Sequence, residues 1–295
     1  MAKSVLITGS QGFTGRYMSE ELVSAGYRVV GLGSQPDEDP GYIQVDITDP
    51  EAVRVRIAEL QPDIVVHLAA VAFVGEGNAN SFYEVNLIGT RNLLAALAAA
   101  DKPPESVLLA SSANVYGNQR GGKLAEDTPP APANDYAVSK LAMEHMAWLW
   151  MPRLPIVIAR PFNYTGVGQA EHFLVPKIVS HFKRRAAVIE LGNLEVWRDF
   201  SDVRSVVAAY RALIERGAAG EVFNVASGQP HSLKEILALC SEITGHQLQV
   251  RVNPAFVRAN EVKTLCGDAA KLAAYVGEWQ KSDLKSTLRW MLAEN

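Results

Sequence analysis

The sequence is poor in the residues that would commit it to several function classes. Its two cysteines, Cys240 and Cys266, have no second Cys or His near them at metal-ligand spacing. Both therefore read as reduced, partly buried thiols, with no disulfide framework. The six histidines are scattered and form no HxxxH pair, which gives a metal site little support. No uncharged apolar run approaches the roughly 18 residues of a spanning helix. The opening MAKSVLITGS runs directly into a strand-like segment and lacks the zones of a signal peptide, so a cytoplasmic protein without a membrane partner is expected. Basic clusters are also scarce: the net charge is −4 and the longest Lys/Arg block is KRR at 183–185, which argues against nucleic acid as a partner.

What is present is the composition of an ordinary globular protein, with 48% hydrophobic and 20% charged residues in 295. Short β-branched runs, SVLITG (4–9), RVVGLG (28–33), DIVVHLAA (63–70), SVLLASS (106–112) and PIVIARPF (155–162), alternate with helical patterns at 14–25, 50–60, 82–100 and 135–150. Near-continuous apolar strands separated by helices predict an α/β fold with a Rossmann-like, doubly wound parallel sheet. Beyond about 165 the texture changes to a hairpin-like AVIELGNLEVWRDF, a helix at 202–216, a strand EVFNVAS and a helix at 232–244. The expected division is a dinucleotide-binding domain over 1–164, with segments returning from the C-terminal part, and a smaller lobe mainly over 165–295.

ITGSQGFTGRY sets Gly9, Gly12 and Gly15 at GxxGxxG spacing after a strand and at the start of a helix. Glycine there permits a tight turn and lets backbone N–H groups approach a pyrophosphate on the helix N-terminus. After the second strand come Gly33, Ser34 and Gln35, with no acid to grip a ribose 2′-hydroxyl; Asp37 and Glu38 follow late in a polar loop. Ser34 and Arg16 are candidate partners for a 2′-phosphate, which makes NADP(H) the favoured cofactor and NAD(H) the alternative. Asp46 and Ile47 in VDITD are candidates for the adenine edge, with plain surface polarity as the competing reading.

Tyr136 and Lys140 lie four apart at the start of a helix and share a face. An ammonium beside a phenol favours the phenolate, so Tyr136 is expected below its usual pKa of about 10. A poised tyrosine can exchange the proton when hydride moves to or from a carbonyl carbon, and Ser112, closing the strand SVLLASS, is placed to bond the same oxygen.

The glycine loop, HLAA at 67–70, NLIGTRNLL at 86–94, SSANVYG and YAVSK occur in this order, and with them the chain resembles the extended short-chain dehydrogenase/reductase family along nearly its whole length. The resemblance implies a Rossmann core, a nucleotide-sugar lobe and the catalytic group Ser112, Tyr136 and Lys140. It implies cofactor contacts from Gly9, Gly12, Phe13, Gly15, Leu68, Ala69, Ala70, Tyr136 and Lys140, and a backbone-positioning role for Asn86, which as a plain residue would read as a helix cap. His67 reads as packed core.

Within that family, the 4,6-dehydratases place an acidic pair after the catalytic Ser/Thr, whereas this chain has Ala113 and Asn114. An amide is no general acid, so dehydration is disfavoured; neither Cys is near the site, so C3/C5 epimerisation is disfavoured too. ARPFNYTGVGQ (159–169) and LGNLEVWRDFSDVR (191–204) are similar to the reductases that convert GDP-4-keto-6-deoxy-D-mannose to GDP-D-rhamnose. This likeness implies substrate contacts from Val71, Phe73, Ser112, Asn114, Asn163, Lys177 and Arg198, and a ribose grip by Arg258 and Glu261. For Arg198 an ion pair with Asp199 or Asp202 is the competing reading, and for Arg258 and Glu261 a plain salt bridge. Val71, Phe73 and Val74 make the sugar loop more apolar than usual, which suits a 6-deoxy sugar. The expected reaction is reduction of the C4 keto group of a nucleotide-linked 4-keto-6-deoxy sugar. A 4-epimerase with retained NAD and a non-catalytic dinucleotide sensor are the alternatives. Helices at 82–100 and 135–150, the second with LAMEHMAWLW, are candidates for a four-helix homodimer interface.

Overall fold

The computed structural model describes residues 2–72, 78–119, 122–256 and 263–294. The chain begins with β1 (Ser4–Thr8), α1 (Phe13–Ser24), β2 (Arg28–Gly33), β3 (Tyr42–Gln44), α2 (Pro50–Leu60) and β4 (Ile64–His67). After α3 (Asn80–Tyr83) come a π-helical turn (Glu84–Gly89), α4 (Thr90–Ala99), β5 (Ser106–Ala110), a short turn of tight helix (Ala113–Tyr116), β6 (Lys123–Leu124), α5 (Asp135–Trp148), β7 (Ile156–Pro161) and β8 (Asn163–Thr165). The remainder contributes α6 (Leu174–Lys183), β9 (Val188–Leu191), β10 (Trp197–Asp202), α7 (Val203–Arg216), β11 (Val222–Val225), β12 (Pro230–Ser232), α8 (Leu233–Thr244), β13 (Gln249–Val252), β14 (Thr264–Gly267), α9 (Ala270–Val276) and α10 (Leu284–Ala293).

Seven parallel strands form the central sheet in the order β11-β7-β5-β4-β1-β2-β3. Both faces are covered, which explains why its strands are apolar throughout: Val5 and Ile7 pack with Met18, Leu22, Val206 and Tyr210 on the α1/α7 side. Leu6 points the other way, into a cluster with Val53, Ile57, Leu93, Leu97 and Met143 from α2, α4 and α5. Each such fully buried aliphatic side chain contributes roughly 1.5–3 kcal/mol. The chain reverses its direction of winding between β1 and β4, and in sheets of this type a crevice for ligands opens there, beyond the carboxyl ends of the strands.

The segments after 165 divide their loyalties. The helix α7 and strand β11 return to the central sheet, while α6, α8 and α10 build a second apolar core around Ile178, Phe182, Ile236 and Leu288. The expected hairpin at 187–200 is absent: β9 pairs in parallel with β13, and β10 pairs with β8, β12 and β14. The expected single helix at 82–100 is interrupted by the π-helical turn, the kind of local widening that often marks a functional position.

Candidate active site

The glycine loop closes the crevice on the β1 side. Gly9 has φ +73°, and a Cβ there would lie 2.7 Å from the backbone nitrogen of Ala69, so loop and post-β4 segment touch through bare backbone. A Cβ at Gly15 would fall 2.2 Å from the Gly9 carbonyl oxygen; without it the helix could not sit this close to its own loop. Gly12 is the N-cap of α1 and supplies no capping side chain, which leaves the first N–H groups directed at the crevice. This uncapped helix end beside a side-chain-free cradle fits a pyrophosphate. Phe13 stacks on Tyr164 at 6.1 Å, and Thr14 and Tyr164 share a hydroxyl hydrogen bond of 2.8 Å. The first turn of α1 is thus held against the segment that opens the second lobe.

The floor is a chain of buried polar groups. Thr90 donates to the carbonyl of Asn86 (2.7 Å), so it must accept from His67 Nε2 (2.8 Å), which leaves His67 Nδ1 to accept from Thr8 (2.6 Å). Burial, with the Lys140 charge nearby, pushes His67 down to about 3, and it stays neutral, as a packed core residue should. Asn86 pairs with Val71 in both directions, accepting from its N–H (2.9 Å) and donating to its C=O (3.0 Å), and also donates to Ser139 (3.0 Å). Asn86 therefore fixes the path of Leu68–Val71 beside the glycine loop, and it does so from within the π-helical turn.

On the other wall stand the candidate catalytic groups. Ser112 is 8% exposed, follows β5, and accepts from Asn114 N (3.2 Å). Tyr136 and Lys140 lie on α5, whose N-cap Asn134 accepts from Ala137 N. The Lys140 ammonium, 4% exposed, donates to the Ala110 carbonyl at 2.7 Å. Burial pushes the Tyr136 phenol up to about 12, opposed by hydrogen bonding to Ser112. The expected lowering by Lys140 is not found: desolvation of the phenol is the largest influence, only the Ser112 hydrogen bond opposes it, and the Lys140 ammonium is turned to the Ala110 carbonyl. Tyr136 is consequently a protonated acid, the form needed to donate a proton. Burial also lowers Lys140, to about 8, against the opposing pull of Glu144. Asn114 lies exposed on the short helical turn next to Ser112, so an amide and not a carboxyl faces this part of the crevice.

Several expected residues sit differently from the sequence reading. Arg16 donates to the Gly168 carbonyl (3.2 Å), reaching toward the second lobe. Ser34 is exposed and its carbonyl accepts from Gln44, while Asp37 reaches the glycine loop, accepting from Gln11 Nε2 at 2.8 Å. The Ile47 side chain is buried in the core and its carbonyl accepts from Asn92, while Asp46 caps the turn at Thr48. In the lobe, Asn163 is exposed at the start of β8, and Lys177 donates to the Glu190 carbonyl (2.8 Å) and lies over the Phe256 ring. Arg198 donates to the Trp197 carbonyl. Its two expected acidic partners have other bonds: Asp202 is held by Arg204 and Thr287, and Asp199 by Ser227 and Gly228. Phe73, Val74, Arg258 and Glu261 lie outside the described residues. Sequence reasoning missed Thr14, Tyr164 and Glu144; of these only Glu144 carried a local signal, standing four residues after Lys140 on the same helical face.

Among the described residues no group of three or more His, Cys, Asp or Glu could hold a metal ion, and no helix is long and apolar enough to cross a membrane.

The sequence profile of the NAD dependent epimerase/dehydratase family matches residues 5–226. The chain belongs to this family. As an extended short-chain dehydrogenase/reductase it is an NAD(P)-dependent enzyme of sugar-nucleotide chemistry, and the crevice described above is built for a nicotinamide dinucleotide. It is 36% identical over 273 residues to a GDP-6-deoxy-D-talose 4-dehydrogenase of Aggregatibacter actinomycetemcomitans, covering 92% of this chain and 91% of the relative. It is 33% identical over 305 residues to a GDP-6-deoxy-D-mannose reductase of Pseudomonas aeruginosa, covering 100% and 97%. A structure of the protein RMD from Pseudomonas aeruginosa in complex with NADPH superposes with a TM-score of 0.86 at 31% identity, over 99% of this chain and 98% of the other.

Proposed function

We propose that this enzyme reduces the C4 keto group of a nucleotide-linked 4-keto-6-deoxy sugar, with GDP-4-keto-6-deoxy-D-mannose as substrate and GDP-D-rhamnose as product. The observation that carries the reading is the hydrogen bond between Tyr136 and Ser112, with Lys140 one helical turn along α5 and Asn114 where a dehydratase would need an acid. The bound dinucleotide, when reduced, supplies hydride to the carbonyl carbon. Tyr136 then releases its phenolic proton to the former carbonyl oxygen, Ser112 donates a hydrogen bond to the developing alkoxide, and Lys140 holds positive charge beside the phenolate left behind. Lys140 also serves the nicotinamide ribose, and Asn163, Lys177 and Arg198 serve the nucleotide diphosphate after rearranging their present bonds. Both curated relatives act, by name, on GDP-6-deoxy sugars, which supports the guanine nucleotide and the deoxy sugar.

NADP(H) remains the favoured cofactor, in line with the NADPH held by the Pseudomonas structure. The margin is small, because Arg16 is turned toward Gly168 and residues 29–53 contain no Lys or Arg. The enzyme is read as cytoplasmic and as a homodimer: α5 leaves Val138 and Trp148 exposed, as are Leu149 just beyond it and Ile88 from the π-helical turn, and a second copy would cover such apolar surface.

A 4-epimerase would use the same three residues, and the family's own description admits it. Mixing purified protein, NADPH and GDP-4-keto-6-deoxy-D-mannose separates the two. The reductase oxidises one dinucleotide per sugar reduced. A protein that carries tightly bound NAD and consumes no added NADPH would be the epimerase.

A further inference from the structure

Behind Tyr136 and Lys140 lies a buried charge that the proton transfer does not use. Tyr136, Lys140 and Glu144 follow one another at four-residue spacing along one face of α5. The Glu144 carboxylate is fully buried, and both its oxygens are occupied: Oε1 accepts from Ser111 Oγ (2.5 Å) and Arg160 Nε (2.9 Å), and Oε2 from Arg160 Nη2 (2.6 Å). Arg160, on β7, is itself held from behind, donating Nη1 to the Tyr116 hydroxyl (2.9 Å), which in turn donates to Asn224 (2.7 Å). Lys140 donates to Ala110, and Ser111 is the next residue. The ammonium and the carboxylate are therefore tied to adjacent positions of the same backbone stretch, the one that ends in Ser112.

The two-pronged guanidinium of Arg160 gives this buried carboxylate a partner cation. A fixed negative charge one helical turn from a buried lysine favours the ammonium form. Glu144 acts on Lys140 in this direction, against desolvation. The other titratable groups facing Lys140 supply no such charge: Tyr136 on α5 is protonated, and His67 on β4 is neutral. We propose that Glu144, clamped by Arg160 and Ser111, is a positioning residue for the reaction proposed above, holding Lys140 as an ammonium and so setting the pH range in which Tyr136 is backed by positive charge.

The test reads Lys140 itself. In protein labelled with ¹³C at lysine Cε, the Lys140 resonance is assigned by its loss in Lys140→Met and followed against pH by NMR. The midpoint should lie near 8 in the unaltered enzyme and fall by about one pH unit, tenfold in the ammonium-to-amine ratio, in Glu144→Gln. Since that variant leaves Arg160 buried without its partner, the pair Glu144→Gln with Arg160→Gln is measured as well; it removes both charges and should also lower the midpoint. An unmoved Lys140 midpoint in the folded double variant would make the ion pair structural only and overturn the inference. In turnover, the alkaline fall of kcat should move with the NMR midpoint while KM for the nucleotide sugar holds. A shifted midpoint in a protein that reduces no 4-keto sugar would uphold the role of Glu144 toward Lys140 and reject the ketoreductase reading.

Discussion

The candidate catalytic and floor residues around the sheet and the candidate nucleotide ligands of the second lobe are held in opposite ways. Around the sheet, Lys140, Ser112, Asn86 and His67 are all buried, and each is fixed by a short hydrogen bond to backbone or to a neighbouring side chain. In the lobe, Asn163 lies at the surface, and Lys177 spends its charge on a carbonyl and an aromatic ring. Proton and hydride transfer reward reacting groups held in place before the substrate arrives. Gripping a nucleotide tolerates side chains that change partners on binding. The difference separates residues whose loss should strike kcat from residues whose loss should strike KM.

The sharpest break is expected from Tyr136→Phe. Removing the one proton donor should lower kcat by roughly 10²–10⁴-fold, while the dinucleotide dissociation constant, measured by fluorescence titration, stays within about threefold, since the phenol lies on the wall opposite the pyrophosphate cradle. Gly9→Ala attacks the cradle instead. With φ at +73° and a Cβ aimed at Ala69 N, it should weaken dinucleotide binding at least about tenfold and lower stability by roughly 1–3 kcal/mol in urea unfolding. Unchanged affinity would show that the loop is not the phosphate site.

Lys177→Ala probes the lobe. A single charge-assisted hydrogen bond formed with the nucleotide is worth roughly 1.5–3 kcal/mol, part of which replaces its present bond to Glu190. The expected result is a KM for the nucleotide sugar raised by less than about tenfold with kcat preserved; a fall in kcat would dissolve the distinction between the two halves. The smallest effect is expected from Asp37→Ser, which removes a carboxylate beside Gln11 and should raise the preference for NADPH over NADH by about a few-fold. A shift toward NADH would place the adenosine ribose elsewhere.

The central sheet and the grouping of the candidate catalytic residues were legible because their signals are local: apolar strands covered on both faces, glycines where backbone must approach backbone, and a tyrosine and a lysine one helical turn apart. What was not legible depends on distant pairing. The hairpin reading of 187–200 failed because Val188–Leu191 takes its partner from Gln249–Val252, some sixty residues on. The break in the 82–100 helix falls at Asn86, whose bonds to Val71 are long-range contacts that no propensity records. The upward push on Tyr136 follows from tertiary burial, which spacing to Lys140 does not reveal. The bond from Arg16 to the Gly168 carbonyl joins residues about 150 positions apart, and no local pattern announces it.

The most direct test of the account is to follow deuterium from NADPH labelled at the transferred position into GDP-4-keto-6-deoxy-D-mannose and to locate it in the product by NMR. The account predicts deuterium at C4 of GDP-D-rhamnose in one-to-one stoichiometry with dinucleotide oxidised. A product labelled at another carbon, or conversion of the nucleotide sugar without label and without net oxidation, would contradict it.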